Sequence, residues 1–220
     1  MELNANVSDF VLPPAGNHAA ICCGVVYCGT VPKEFEGKPK MKKVVYLYFE
    51  LSNTNHVFDA AKGQEPFVIR QEYSLSMGKN ANLRKMLEGW RGQPFTDAEA
   101  AKFNIFSIVK APCQVNLVKK ISKSNKERIE VYSVSQLMAG VPVPTLRTAL
   151  TEWKMPDITK GEKFDTEGFN KLHSFIQNDI KASDEYKAMA NGAPTNVVNN
   201  GQTGQIQQPV QQTQGNNLPF

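Results

Sequence analysis

The chain reads as a mainly β protein: a five-stranded antiparallel barrel with a helical insertion between strands 3 and 4, then a C-terminal helix and a disordered tail. Three observations predict this. Five segments of strand character fall within about 120 residues, most of them alternating apolar with polar side chains. Two helical segments sit together between the third and fourth of these. The last thirty residues, from Asn191, contain no Lys, Arg, Asp or Glu but hold seven Gln, six Asn and four Gly. Such a composition buries too little apolar area to offset the entropy of ordering, so disorder is expected there.

Residues 1–17 read as an extended arm that ends in turn chemistry, Pro13-Pro14-Ala15-Gly16-Asn17. A first strand is expected from His18 to Thr30, rich in small and β-branched residues, with Gly24 marking a bulge or sharp bend. Pro32, Gly37 and Pro39 make the following stretch a loop. The clearest strand runs from Met41 to Leu51. Its alternation puts Lys43, Val45, Leu47 and Phe49 on a core face and Lys42, Val44, Tyr46, Tyr48 and Glu50 on an outward face that is basic and aromatic. A polar loop over Ser52–Glu65 leads to a third strand, Pro66–Ser76. Leu83, Met86, Leu87 and Trp90 recur at helical spacing within Asn80–Trp90, where Gly89 and Gly92 close the helix and Trp90 caps the barrel end. Thr96-Asp97-Ala98-Glu99 is a capping box that opens a short helix to about Phe103. Strands four and five are expected at Pro112–Ile121 and Arg128–Leu137, joined by a polar hairpin loop.

Short, half-polar strands joined by loops favour an antiparallel barrel over a parallel sheet. Five strands with a helix between the third and fourth is the arrangement of the OB-fold. That fold takes oligonucleotides on the face of strands two and three and on the loops joining strands 1–2 and 4–5. The barrel then spans 18–144. Residues 145–190 form a proline-punctuated connector and an amphipathic helix over about Asp165–Ala188, whose Phe169, Leu172, Ile176 and Ile180 need a partner, either the barrel or a second subunit.

Composition excludes several classes. No apolar run is long enough to span a membrane, and the opening Met1-Glu2-Leu3-Asn4 is not a secretory leader. The four cysteines show no CxxC pair and read as buried small hydrophobes in a reducing cytosol. His18, His56 and His173 are scattered, and no nucleophile elbow, phosphate loop or zinc-protease motif is present, so neither an enzyme nor a cofactor is expected.

Charge supplies the positive signal. Residues 1–144 hold 18 basic and 13 acidic side chains, whereas 145–190 hold seven and eight. Binding a polyanion needs a track of cations, and single-stranded nucleic acid adds bases that stack on aromatic faces. Three clusters have this character: Lys33, Lys38 and Lys40 around Phe35; Lys42, Tyr46 and Tyr48 with Arg70 from strand three; and Lys119, Lys120, Lys123 and Lys126 on the fifth strand's hairpin. Taken singly, each is also what a solvated surface looks like; in an OB barrel they would converge. The end of the chain, Leu218-Pro219-Phe220, sits on an uncharged tether and suits capture by an apolar pocket on another protein.

These parts resemble bacterial single-stranded DNA-binding proteins, whose tails end in acidic residues followed by Ile-Pro-Phe. Here Leu218, Pro219 and Phe220 match the last three positions, while Asn216 and Asn217 replace the acids. The core is more similar to a group of bacteriophage proteins with an OB-like core. The resemblance rests on Phe10–His18, on Asn82–Thr96 with its Gly89-Trp90-Arg91-Gly92-Gln93-Pro94-Phe95, on Ala111–Asn116 and on Ser183-Asp184-Glu185-Tyr186. It implies a protein that covers single-stranded DNA during phage replication or recombination in the host cytoplasm, with a replication or repair partner at its tip. The alternative is a protein-interaction module of a replication or virion assembly that does not touch nucleic acid; a third reading is an RNA-binding regulator.

Overall fold

The computed structural model describes residues 11–35, 37–122 and 125–191. Its central strand is β1 (Gly16–Phe35), flanked by β2 (Lys38–Asp59) and β4 (Pro112–Ile121), with β3 (Gly63–Ser74) and β5 (Glu127–Ser135) outside them. The five run antiparallel in the order β3-β2-β1-β4-β5 and curl into a half-barrel. In chain order, α1 (Asn82–Arg91), α2 (Asp97–Lys102) and a 3-10 turn (Ile105–Ile108) follow β3 and precede β4. The capping box expected at Thr96 is formed: its hydroxyl accepts from the Glu99 amide while Glu99 accepts from the Thr96 amide at 2.7 Å. Gly92 closes α1 in the left-handed conformation, at φ 74°.

β1 is bent rather than straight. Its register with β2 slips between Cys22 and Gly24 and again between Tyr27 and Gly29, so the strand carries two bulges, each increasing its coil. The bends divide its outer edge. Gly16–Ile21 pair with β4, and Gly24–Tyr27 pair in parallel with β6 (Thr151–Lys154), a strand the sequence reading placed inside a connector. Gly24 is required there, because a Cβ would collide with the Thr151 carbonyl.

Both faces of the β1–β2 pair are buried. The inner face carries Ala20, Val25, Val45, Leu47 and Phe49, packed with Leu83, Leu87 and Trp90 of α1 and with β4 and β5. Trp90 is fully enclosed, and its indole donates to the Pro112 carbonyl at 2.8 Å. The outer face carries Cys23, Val26, Val31, Val44, Tyr46 and Tyr48. It is roofed by Trp153 of β6 and by Phe169, Leu172, Ile176 and Ile180 from α3 (Thr166–Lys171), α4 (Ser174–Ala182) and the residues joining them. α5 (Asp184–Ala190) follows. Each such side chain contributes about 1.5–3 kcal/mol on burial, so five of them hold this roof with energy on the order of 10 kcal/mol. The single helix expected over 165–188 is therefore three short ones wrapped on the sheet, and its apolar side meets the sheet itself.

Polar clasps fix the roof. Glu50, with 0 % exposure, accepts from the Thr148 amide and hydroxyl, each at 2.7 Å, and from the Arg147 amide at 3.1 Å. Arg147 reaches on to the Leu51 and Ser52 carbonyls. Glu185 of α5 accepts from the Thr30 amide and hydroxyl at 2.7 and 2.8 Å. All four cysteines are buried and free of disulfides. Burial pushes the Cys22 and Cys23 thiols up to about 12 and raises Cys28 and Cys113 as well.

Across the open side of the sheet, β3 and β5 face each other over α1 without a ladder between them. A cleft of about 820 Å³ lies along this seam.

Candidate nucleic-acid interface

Beyond the roof, β1 and β2 continue as a two-stranded arm closed by a tight turn at Gly37, φ 74°. Its register sets Lys33 opposite Lys40, Val31 opposite Lys42 and Phe35 opposite Lys38. Directly opposed residues share a face, and so do alternate residues of one strand. Lys33, Lys38, Lys40 and Lys42 therefore occupy one face of the arm, with a cation about every 7 Å along β2. Lys38 and Lys40 are exposed and Lys42 half-buried. Phe35 ends β1, and its side chain lies outside the described residues.

The lysine row runs down the same face of β2 that holds Val44, Tyr46 and Tyr48, and there the expectation fails. Tyr46 and Tyr48 are each 5 % exposed beneath the C-terminal helices, so they are core residues and offer no stacking platform. The period of the strand is as read; what was missed is that its second face is also covered. The Tyr46 hydroxyl lies 2.5 Å from Asp179 and 2.8 Å from Glu72, and Lys33 donates to the same two carboxylates at 2.7 and 2.9 Å. Burial, then the bonds to Asp179 and Glu72, hold the Tyr46 phenol far above its ordinary range. Burial alone would lower Lys33, but its bonds to Asp179 and Glu72 outweigh that and raise it. Lys33 is thus a clamp between β1, β3 and α4 at the root of the arm.

Arg70 is exposed, yet its guanidinium lies 3.9 Å from the centre of the Phe175 ring on α4, where a cation and an aromatic face attract. On the other hairpin, Lys119 pairs with Glu127 at 3.5 Å, while Lys120 and Arg128 share Glu130 at 2.7 and 2.6 Å. Lys126 is exposed; Lys123 lies outside the described residues, as do Leu218, Pro219 and Phe220. The register carries this hairpin past the Gly16 end of β1, whereas the lysine arm extends past the Phe35 end. The ladder does not set the two clusters side by side.

Three exposed aromatics escaped the sequence reading. Tyr132 on β5 is 75 % exposed, Phe58 near the end of β2 is 52 %, and Phe175 is 38 %. Phe58 stands edge-on to His56 and Phe67, with centroids 5.0 and 5.1 Å apart. Alternation within β5 could not have found Tyr132: Val131 and Val134, three apart, both turn inward because the register slips there, from Leu117 opposite Val131 to Asn116 opposite Ser133. Among the described residues no cluster of His, Cys, Asp or Glu is arranged to hold a metal, and no helix is long and apolar enough to cross a membrane. No known protein family matches the chain, and neither does any curated protein.

Proposed function

We propose that this chain binds single-stranded DNA, and that the β1–β2 arm is its principal phosphate-binding element. The observation that carries the reading is the cation row Lys38, Lys40 and Lys42 on one face of a projecting two-stranded arm. A regular line of lysines on an extended strand suits a polyanion whose charges also recur along a line. Supporting it, the curled antiparallel five-stranded half-barrel suits an OB-type reading, and that fold uses its 1–2 loop on oligonucleotides. The reading is of a binding protein rather than an enzyme and needs no cofactor. The resemblance to phage proteins would place it in the host cytoplasm during replication or recombination. Leu218-Pro219-Phe220 would then recruit a replication or repair partner.

Fluorescence anisotropy of labelled oligo-dT across a salt series tests it. Single-strand binding loses affinity with a log–log slope of about −0.7 per neutralised phosphate, so three lysines supply a slope of about −2. The Lys38→Gln/Lys40→Gln/Lys42→Gln variant should flatten the slope by about that amount, with circular dichroism checking that the fold is kept. The second reading, a protein-interaction module, draws on the β4–β5 hairpin, whose Lys119, Lys120 and Arg128 are matched by Glu127 and Glu130. Absence of oligo-dT binding even at low salt would decide for it.

A further inference from the structure

The seam between β3 and β5 has a chemistry unlike that of the arm. Gln71, Ser74, Asn80, Asn82, Tyr132 and Ser133 line it, and all are uncharged. Lys85, exposed on α1, supplies one cation. Glu72 borders the cleft, but its carboxylate is engaged by Lys33 and Tyr46. Both walls are edge strands, so alternate backbone amides and carbonyls along β3 and β5 face the gap without a ladder partner. α1 closes the floor against β5: a Cβ on Gly89 would stand 3.0 Å from the Val134 carbonyl. At about 820 Å³ the space falls within the range of sites that hold a small organic group.

Neutral donors and acceptors beside one exposed ring are poor phosphate ligands and good nucleobase ligands. A base presents a flat π face for stacking and an edge of mixed donors and acceptors for amides, hydroxyls and backbone. We propose that the β3–β5 cleft is a nucleobase subsite, with Tyr132 stacking one base and the amides of Asn80, Asn82 and Gln71 reading its edge. This rests on the single-strand-binding reading and adds to it: the arm supplies affinity without regard to sequence, and the cleft supplies a preference among bases.

The test measures affinity for dT, dC, dA and dG homo-oligomers of equal length, using the full chain and its Tyr132→Ala and Asn82→Ala variants. Tyr132 is 75 % exposed, so its removal leaves the fold intact, which a thermal melt checks. The expected result is a spread of at least about tenfold between the tightest and weakest oligomer. Tyr132→Ala should narrow it to within about threefold, with the salt slope unchanged, since no phosphate contact is lost. Asn82→Ala should change the rank order of the bases. Equal affinity for all four, or a spread that both variants leave intact, overturns the subsite while leaving the arm as the binding element. No binding of any homo-oligomer overturns the single-strand reading and the subsite with it.

Discussion

Glu50 shows how a single carboxylate can hold a layer in place. It has no exposed surface, and the amide and hydroxyl of Thr148 and the amide of Arg147 all donate to it. Replacing it leaves those three donors without their acceptor, while the exposed Arg147 guanidinium keeps the Leu51 and Ser52 carbonyls. Glu50→Ala should therefore destabilise the protein by about 1–3 kcal/mol, read as a lower urea midpoint. The thiols make a second residue-scale prediction. Cys22 and Cys23 stay protonated to about pH 12 in the folded protein, against an ordinary value of 9.0. A group whose folded pKa is raised holds its proton better when folded, so its contribution is complete below the unfolded value and falls away as pH rises above it. Tyr46 and Lys33, also raised, act in the same direction from their ordinary values of 10.0 and 10.5. Stability should hold level up to about pH 8.5 and then fall by about 1.4 kcal/mol per pH unit for each group titrating only in the unfolded chain. Urea midpoints from pH 7 to 11 check this, and a Cys22→Ala variant should decline less steeply from the same onset, since Cys23, Cys28 and Cys113 remain.

The C-terminal layer and the sheet it covers behave as one element. Ile176 is fully enclosed between α4 and the outer face of β1–β2. Ile176→Ala should cost about 2–5 kcal/mol by urea unfolding, as a core cavity does. Gly24→Ala should cost about 1–3 kcal/mol by pushing β6 off β1, and Trp153 fluorescence should shift to the red as its ring is uncovered. This layer also explains which elements were legible in the sequence. β4 was readable because it alternates buried and half-exposed residues from Pro112 to Val118, and α2 because its capping box is a local signal. β6 was not, because four residues cannot display a period, and what fixes Thr151–Lys154 as strand is the edge of β1 far away in sequence. The polar stretch read as a loop at 52–65 is the continued β2–β3 hairpin, whose side chains are mostly exposed and so carry no apolar pattern. Of the candidate site, the face that Lys42 takes on β2 was legible, but Lys33, Lys38 and Lys40 were read as loop residues, because Pro32, Gly37 and Pro39 hide the strands that carry them. The burial of Tyr46 and Tyr48 was not legible either, although Val44–Phe49 is an unbroken uncharged run of the kind strands buried on both faces show.

At the scale of the whole molecule, charge is unevenly divided along the chain. The basic excess belongs to residues 1–144, and the last thirty residues carry no charge. Truncation after Ala190 should therefore leave oligo-dT affinity and its salt slope unchanged, since an uncharged segment releases no counterions; a tenfold loss in anisotropy titrations would show that the tail takes part. The fold also constrains how the protein is made. Thr30 is bonded to Glu185 across 155 residues of chain, and β1 takes β6 as a partner only once 151–154 are available. Contacts so distant in sequence slow folding, because a large loop must close before they form. During synthesis the first strand would leave the ribosome long before the segment that roofs it, with Val26, Val31, Val44 and Tyr48 still uncovered. The nascent barrel would be aggregation-prone for that interval, and the yield of native protein would depend on the rate at which the last helices emerge.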